Sequence, residues 1–134
     1  MSDIPMPLLG KSLEDTLGIR TLPAREDGLA EAELVVTERC CQPFGMVHGG
    51  VNLALAENLA GHGSMRICAP GESVCGMHVS GSHVAPAPLG STLHATARLI
   101  HRGRKTHLWN VDITCGDTLV STVRVTNFII RPQE

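Results

Sequence analysis

Aromatic side chains are nearly missing from this chain. Its 134 residues include no tyrosine, one tryptophan and two phenylalanines. Phe44, Trp109 and Phe128 are too few and too scattered for a platform on which nucleic-acid bases stack. Excess charge of one sign is missing as well. A formal net charge of -2 offers no basic face to a phosphate backbone. Long apolar runs do not occur, so no transmembrane helix is expected. The start, MSDIPMPLLGKSLEDTLG, carries acidic residues and does not read as a signal peptide. No CxxC pair exists among Cys40, Cys41, Cys68, Cys75 and Cys115. An odd set of unspaced cysteines predicts free thiols and a cytoplasmic location. Zinc spacing is absent too: His78 and His83 stand five apart, which on a strand places them on opposite faces. Neither a metal nor a cofactor is expected.

What is present suits one soluble domain over residues 1–134. Hydrophobic residues make up 43% of the chain, enough for a real core at this length. LLGKSLEDTL, residues 8–17, predicts a short amphipathic helix ended by Gly18. Residues 19–24 and 29–37 read as strands around Glu26-Asp27-Gly28. A loop with Pro43 and Gly45 follows. Residues 48–66 predict the main helix. Val51, Leu55 and Leu59 line one face and Leu53, Ala56 and Ala60 another, so the helix should be buried nearly all round. Strands are expected at 74–84, 92–100, 108–115 and 119–130. Leu93, Ala95, Ala97 and Leu99 alternate with polar residues, the pattern of a half-buried strand. The expected architecture is α+β: an antiparallel sheet of about six strands wrapped around one long helix.

Between Arg39 and Arg66 only Glu57 is charged. It sits two to three turns after His48-Gly49-Gly50, where the helix begins. No cation lies within one helical turn to pair with it. A buried or cleft-facing carboxylate there suits general-base work, or direct attack on a thioester. Glycines at a helix start cost stability but let a ligand approach the backbone, whose N–H groups can hold an oxyanion. His48 can steer a leaving thiolate, and the Gln42 amide can donate to a carbonyl or position a water.

QPFGMVHGGVNLALAE resembles the signature of the hotdog-fold acyl-CoA thioesterases. The closest likeness is to the phenylacetate-degradation-protein-like branch, with the 4-hydroxybenzoyl-CoA thioesterases of the catalytic-Glu-on-helix type and the 1,4-dihydroxy-2-naphthoyl-CoA thioesterases. It extends from about Gly18 to Ile130. The resemblance implies a hotdog fold and hydrolysis of a small or medium acyl- or aryl-CoA thioester. It implies Glu57 as base or nucleophile, the Gly49 N–H as oxyanion donor, and His48 and Gln42 as orienting groups. The Glu is implied to act across a dimer interface, with dimers paired into tetramers. Coenzyme A enters as part of the substrate.

Further substrate contacts are implied at Gly50, Gly61 and Gly76, and in SGSHVAPAPLG at His83, Val84, Ala85 and Pro86. HRGRKTHLW resembles the family's nucleotide-contacting turn, which implicates His101, Arg102, Gly103, Arg104, Lys105 and Thr106. Independently of the family, Arg and Lys in a turn suit phosphate. Two departures stand out. Gly61 replaces a hydroxyl residue one turn after the Glu, with Asn58 or Ser64 as substitutes, and Ala85 replaces a basic residue. Two other classes remain open at this stage: an acyl-thioester hydratase or dehydratase, and a non-catalytic acyl-CoA binder.

Overall fold

Alternating apolar residues build the sheet, and small ones make room for the helix. The computed structural model describes residues 4–132, so the outermost residues of the domain expected over 1–134 lie outside the described residues. In chain order the elements are α1 (Leu13–Leu17), β1 (Arg20–Thr21), β2 (Leu29–Val35), a 3-10 turn (Glu38–Cys40), α2 (Gly49–Ile67), β3 (Ser73–His83), β4 (Thr92–Arg102), β5 (Thr106–Cys115) and β6 (Thr118–Ile130). The strands form one antiparallel six-stranded sheet in the order β1-β2-β4-β5-β6-β3. This is the hotdog arrangement that the signature implied. The one long helix lies against the sheet.

Cross-strand register shows why the helix fits. Ala32 faces Ala95 across β2 and β4, and Ala97 faces Val111 across β4 and β5. These alanines are fully buried, and their short side chains let α2 approach the backbone. Trp109, opposite Val125, fills the wider space on β5 and is also fully buried. The α2 stripe of Val51, Leu55, Ala56, Leu59, Ala60, Gly63 and Ile67 closes this core.

The other side of α2 corrects the expectation of burial all round. Glu57 and His62 are exposed, and Ala54, Asn58, Gly61 and Met65 are half-buried. Among the described residues no strand crosses that side, and alanine and glycine there are too small to require cover. The amino-terminal helix is also shorter than residues 8–17. Gly10 adopts the left-handed backbone at φ 82°, which stops the helix from extending back. Ser12 then caps the start, its N–H and hydroxyl both donating to Asp15 Oδ2 at 2.9 and 3.0 Å. The strand expected over 19–24 shrinks to Arg20–Thr21, because Pro23 has no N–H for the ladder. The remaining elements agree with expectation to within about two residues.

One polar cluster lies inside the core. The Ser64 hydroxyl oxygen accepts from Trp109 Nε1 at 2.8 Å and Asn127 Nδ2 at 2.9 Å, and lies 2.9 Å from His107 Nδ1. With two donors already on the oxygen, its own hydrogen goes to His107. Burial holds the His107 pKa below its ordinary value, and the Arg102 charge lowers it further, against a smaller opposing pull from Glu72. All five cysteines are free thiols.

Two glycines on α2 give opposite tests of this packing. A methyl at Gly63 would come within 2.5 Å of the Trp109 ring, whereas one at Gly61 meets nothing within 4 Å. Gly63→Ala should destabilise by about 1–3 kcal/mol. Gly61→Ala should stabilise by about 0.5–1 kcal/mol through helix propensity. Thermal unfolding of the two variants should shift the melting temperature in opposite directions.

Candidate active site

The loop before α2 is pinned at both ends by backbone bonds. Gly45 N–H donates to Gln42 O at 2.9 Å and closes a tight turn through Pro43 and Phe44. Pro43 fixes its own φ for that turn. Val47 N–H reaches Ala87 O, and His48 N–H reaches Cys40 O, each at 2.8 Å. The chain is thereby delivered to α2 with His48 as the N-cap. His48 Nδ1 accepts the Gly50 N–H at 2.9 Å. The Gly49 N–H, the first of the helix, has no intrahelical acceptor.

A cleft of about 460 Å³ opens at this helix start, walled in part by Gln42, Gly49, His83, Val84, Ala85 and Pro86. The expected donors and the SGSHVAPAPLG segment therefore meet at one place. Gln42 Nε2 donates to Val47 O at 3.4 Å, a long bond that uses one of the amide's several sites. A methyl at Gly49 would lie 2.7 Å from His83 Nε2, so only glycine lets that imidazole rest on the helix. His48 and Gly50 are not walls of the cleft. The capping bond explains this: it turns the His48 ring back over the helix and occupies the Gly50 N–H.

Glu57 stands apart from these donors. Eight residues separate it from Gly49, about 12 Å along the axis and roughly 80° around it. It lines a second cleft, of about 340 Å³, with Asn58, Gly61, His62, Met65, Val74 and Met6. Of the two expected settings, buried or cleft-facing, Glu57 takes the second and is exposed. It lies at the seam between α2 and β3, beside Gly76, where any added methyl would collide with Glu57 Oε2. Gly76 also begins a β-bulge between Gly76 and His78, which bends the strand locally. Asn58 Nδ2 donates to Glu14 Oε2 at 3.1 Å, and His62 Nε2 lies 3.3 Å from the same oxygen. Ser64, offered above as a hydroxyl substitute, is fully buried in the core cluster and does not face this cleft.

The basic turn is a third locality. Arg102 donates through Nη2 to Ile67 O at 2.7 Å, capping the carboxyl end of α2. That end is eighteen residues, about 27 Å, from Gly49. Within one chain the turn is therefore remote from the Gln42 cleft. Gly103 N–H bonds Thr106 O at 2.8 Å and shapes the turn. Arg104, Lys105 and His101 are exposed. Among the described residues no ion pair engages Arg104 or Lys105.

Two polar residues, one in the wall of the first cleft and one buried behind it, escaped the sequence reading. Asn52, buried and part of the cleft wall, donates through Nδ2 to Ser121 Oγ at 2.9 Å. Ser121 Oγ lies 2.7 Å from His83 Nδ1. The available signal was a polar residue, Asn52, on the otherwise apolar inner stripe of the helix.

Comparison with known proteins finds a family, relatives and solved structures that this chain resembles. Residues 44–122 match the family model described as Thioesterase superfamily. The chain is 40% identical over 102 residues to 1,4-dihydroxy-2-naphthoyl-CoA hydrolase of Listeria monocytogenes, covering 76% of this chain and 81% of that one. A thioesterase from Haemophilus influenzae has a crystal structure that superposes with a TM-score of 0.88 at 32% identity, covering 95% of this chain and 88% of that one. A Staphylococcus aureus thioesterase superposes at 0.83 with 31% identity, covering 90% and 98%. It has been solved as a Gln-to-Ala and as a Glu-to-Ala variant, and the two altered positions are fifteen apart. Gln42 and Glu57 have the same spacing.

The two roles of the basic turn separate by mutation. Arg102→Ala removes a charged bond to the helix end and should cost about 1–2 kcal/mol of stability. The double variant Arg104→Ala, Lys105→Ala should stay within about 0.5 kcal/mol of wild type. Chemical denaturation of both variants checks this. Equal losses would mean that Arg102 does not cap the helix.

Proposed function

The chain belongs to the Thioesterase superfamily and is a thioester hydrolase, and on that footing we propose that it cleaves a small or medium acyl- or aryl-CoA thioester to the free acid and coenzyme A. Glu57 is the base that activates water, or the nucleophile that forms a transient anhydride. The Gly49 N–H receives the oxyanion as the carbonyl becomes tetrahedral, and Gln42 orients the thioester. The reaction needs a carboxylate, an oxyanion donor and a route for the leaving thiolate, and this chain has a candidate for each. No metal or cofactor takes part in this scheme. The name of the Listeria relative supports an aromatic acyl group as one substrate class.

The observation that carries this reading is the division of the machinery. Glu57 and the Gln42–Gly49 donors occupy different clefts of one chain. Yet Glu57 sits beside β3, whose outer edge has no partner strand among the described residues. Eleven residues of unpaired edge invite a second copy. We assign the working unit to a homodimer, further paired into a tetramer, in which Glu57 of one chain faces the donors of the other. The exposed carboxylate then becomes enclosed only on assembly. Arg104 and Lys105 are the side chains assigned to the phosphates of coenzyme A, and Arg102 is left to the helix end. Among the described residues no helix is long and apolar enough to cross a membrane, and the free thiols support a cytoplasmic location.

Glu57→Ala should reduce turnover of a good acyl-CoA substrate by about 100-fold or more. Its melting temperature should barely move, since the side chain is exposed in the subunit. Glu57→Gln should behave similarly, because shape is retained and charge is lost. Thiol release from a panel of acyl- and aryl-CoA substrates gives the readout. A Glu57→Gln variant with most of its turnover intact would remove Glu57 from the chemistry.

A further inference from the structure

His83 is held from behind by two buried residues of distant elements. Asn52 on α2 is 1% exposed and Ser121 on β6 is fully buried. Asn52 Nδ2 donates to Ser121 Oγ at 2.9 Å, and Ser121 Oγ lies 2.7 Å from His83 Nδ1. The opposite edge of the imidazole lies against Gly49 in the cleft.

Two hydrogen arrangements use the Ser121 hydroxyl within this chain; a third, in which Ser121 Oγ accepts from both Asn52 and His83, would leave its buried hydroxyl hydrogen without an acceptor among the described bonds. In the first, Asn52 N–H donates to Ser121 and the Ser121 hydroxyl donates to His83 Nδ1. The neutral ring then carries its hydrogen on Nε2. In the second, every bond reverses: His83 Nδ1–H donates to Ser121, and Ser121 donates to Asn52 Oδ1. The first leaves Asn52 Oδ1 without a partner. The second, with the amide turned over, would leave both hydrogens of the buried Asn52 NH₂ without an acceptor among the described bonds. An orphaned buried donor is the rarer and costlier defect, while a carbonyl oxygen tolerates it better. The first arrangement therefore prevails.

We propose that Asn52 and Ser121 are positioning residues that lock His83 in the Nε2–H tautomer, so that its N–H and the Gly49 N–H present a paired donor site to the thioester. This rests on the thioesterase reading above. The hydrogen bond from Nε2–H adds to the Gly49 donor as negative charge develops on the substrate, and no proton leaves the ring. Ser121 touches no substrate and acts through His83, and Asn52 acts through Ser121.

The test reads the tautomer directly. Ring nitrogen NMR of the full-length protein, with His83 assigned by loss of its signals in His83→Gln, should show Nε2 protonated and Nδ1 bare in the neutral ring. Ser121→Ala should release the lock and give a mixture of tautomers. Its turnover number should fall about 10- to 100-fold, as for a donor left poorly aimed, while KM changes less than about threefold. Ser121→Thr, which keeps the hydroxyl, should retain the tautomer. A wild-type ring protonated on Nδ1 overturns the proposal, and so does a Ser121→Ala protein with unchanged tautomer and turnover. Should Ser121→Ala fail to fold, the wild-type spectrum alone decides. Failure of the thioesterase reading would appear separately, as a wild-type protein that releases no thiol from any acyl- or aryl-CoA while its His83 ring still carries its hydrogen on Nε2.

Discussion

Burial of a single stripe of α2 against the sheet sets the place of everything else in this molecule. Once Leu55, Leu59, Ala56 and Ala60 are fixed on the alanine-rich strands, the helix has no freedom to roll. Its start must then meet the Gln42 loop, its open side must carry Glu57 past β3, and its end must reach Arg102. The site is a consequence of that one packing decision. The helix dipole adds to it, with the amide-rich end in the donor cleft and the carboxyl end met by a guanidinium.

Hydrophobic contact alone would let the helix slide by a turn, because leucine and alanine recur along the stripe. Two buried polar ties oppose this. Asn52 bonds Ser121 near the helix start, and Ser64 bonds Asn127 near its end. Twelve residues of helix separate the ties on α2, about 18 Å. Six residues separate them on β6, about 20 Å. The matched spacings mean that a slide of one turn would break both ties together and leave several buried polar groups unpaired, at a cost of about 1–3 kcal/mol each. Polar groups in this core thus specify register, while apolar area supplies most of the stability. The same register places His83 on Gly49 and carries Trp109 over Gly63.

Much of the fold was legible because its signals are local. Strand alternation at Leu93, Ala95 and Ala97, the apolar stripe of α2 and the turn at Gly116-Asp117 are all written within a few residues. The shared cleft of Gln42, Gly49 and His83 was legible through the signature, although His83 is distant in sequence. What was not legible depends on partners far along the chain. Asn52 and Ser121 are 69 positions apart, and nothing near either announces the other. The bond of Arg102 to the helix end was not legible, because the carbonyl it caps, Ile67 O, lies 35 positions away. Whether Glu57 is buried or faces a cleft was left open, because a sequence does not say which side of an apolar helix one chain leaves uncovered. The short α1 was misjudged for a local reason: the backbone demand at Gly10 outweighed a favourable apolar pattern.

The central claim is that each complete site takes Glu57 from one chain and the Gln42–Gly49 donors from another. Subunit complementation tests it most directly. Glu57→Gln and Gly49→Ala chains, each inactive alone, would be unfolded together, refolded as a mixture and assayed for thioester cleavage. Random pairing makes half of the dimers mixed, each with one site intact and one doubly defective, so activity should return to about a quarter of wild type. Mixed dimers that form but remain as inactive as either parent would contradict the account, because a site built within one chain cannot be rescued by its neighbour.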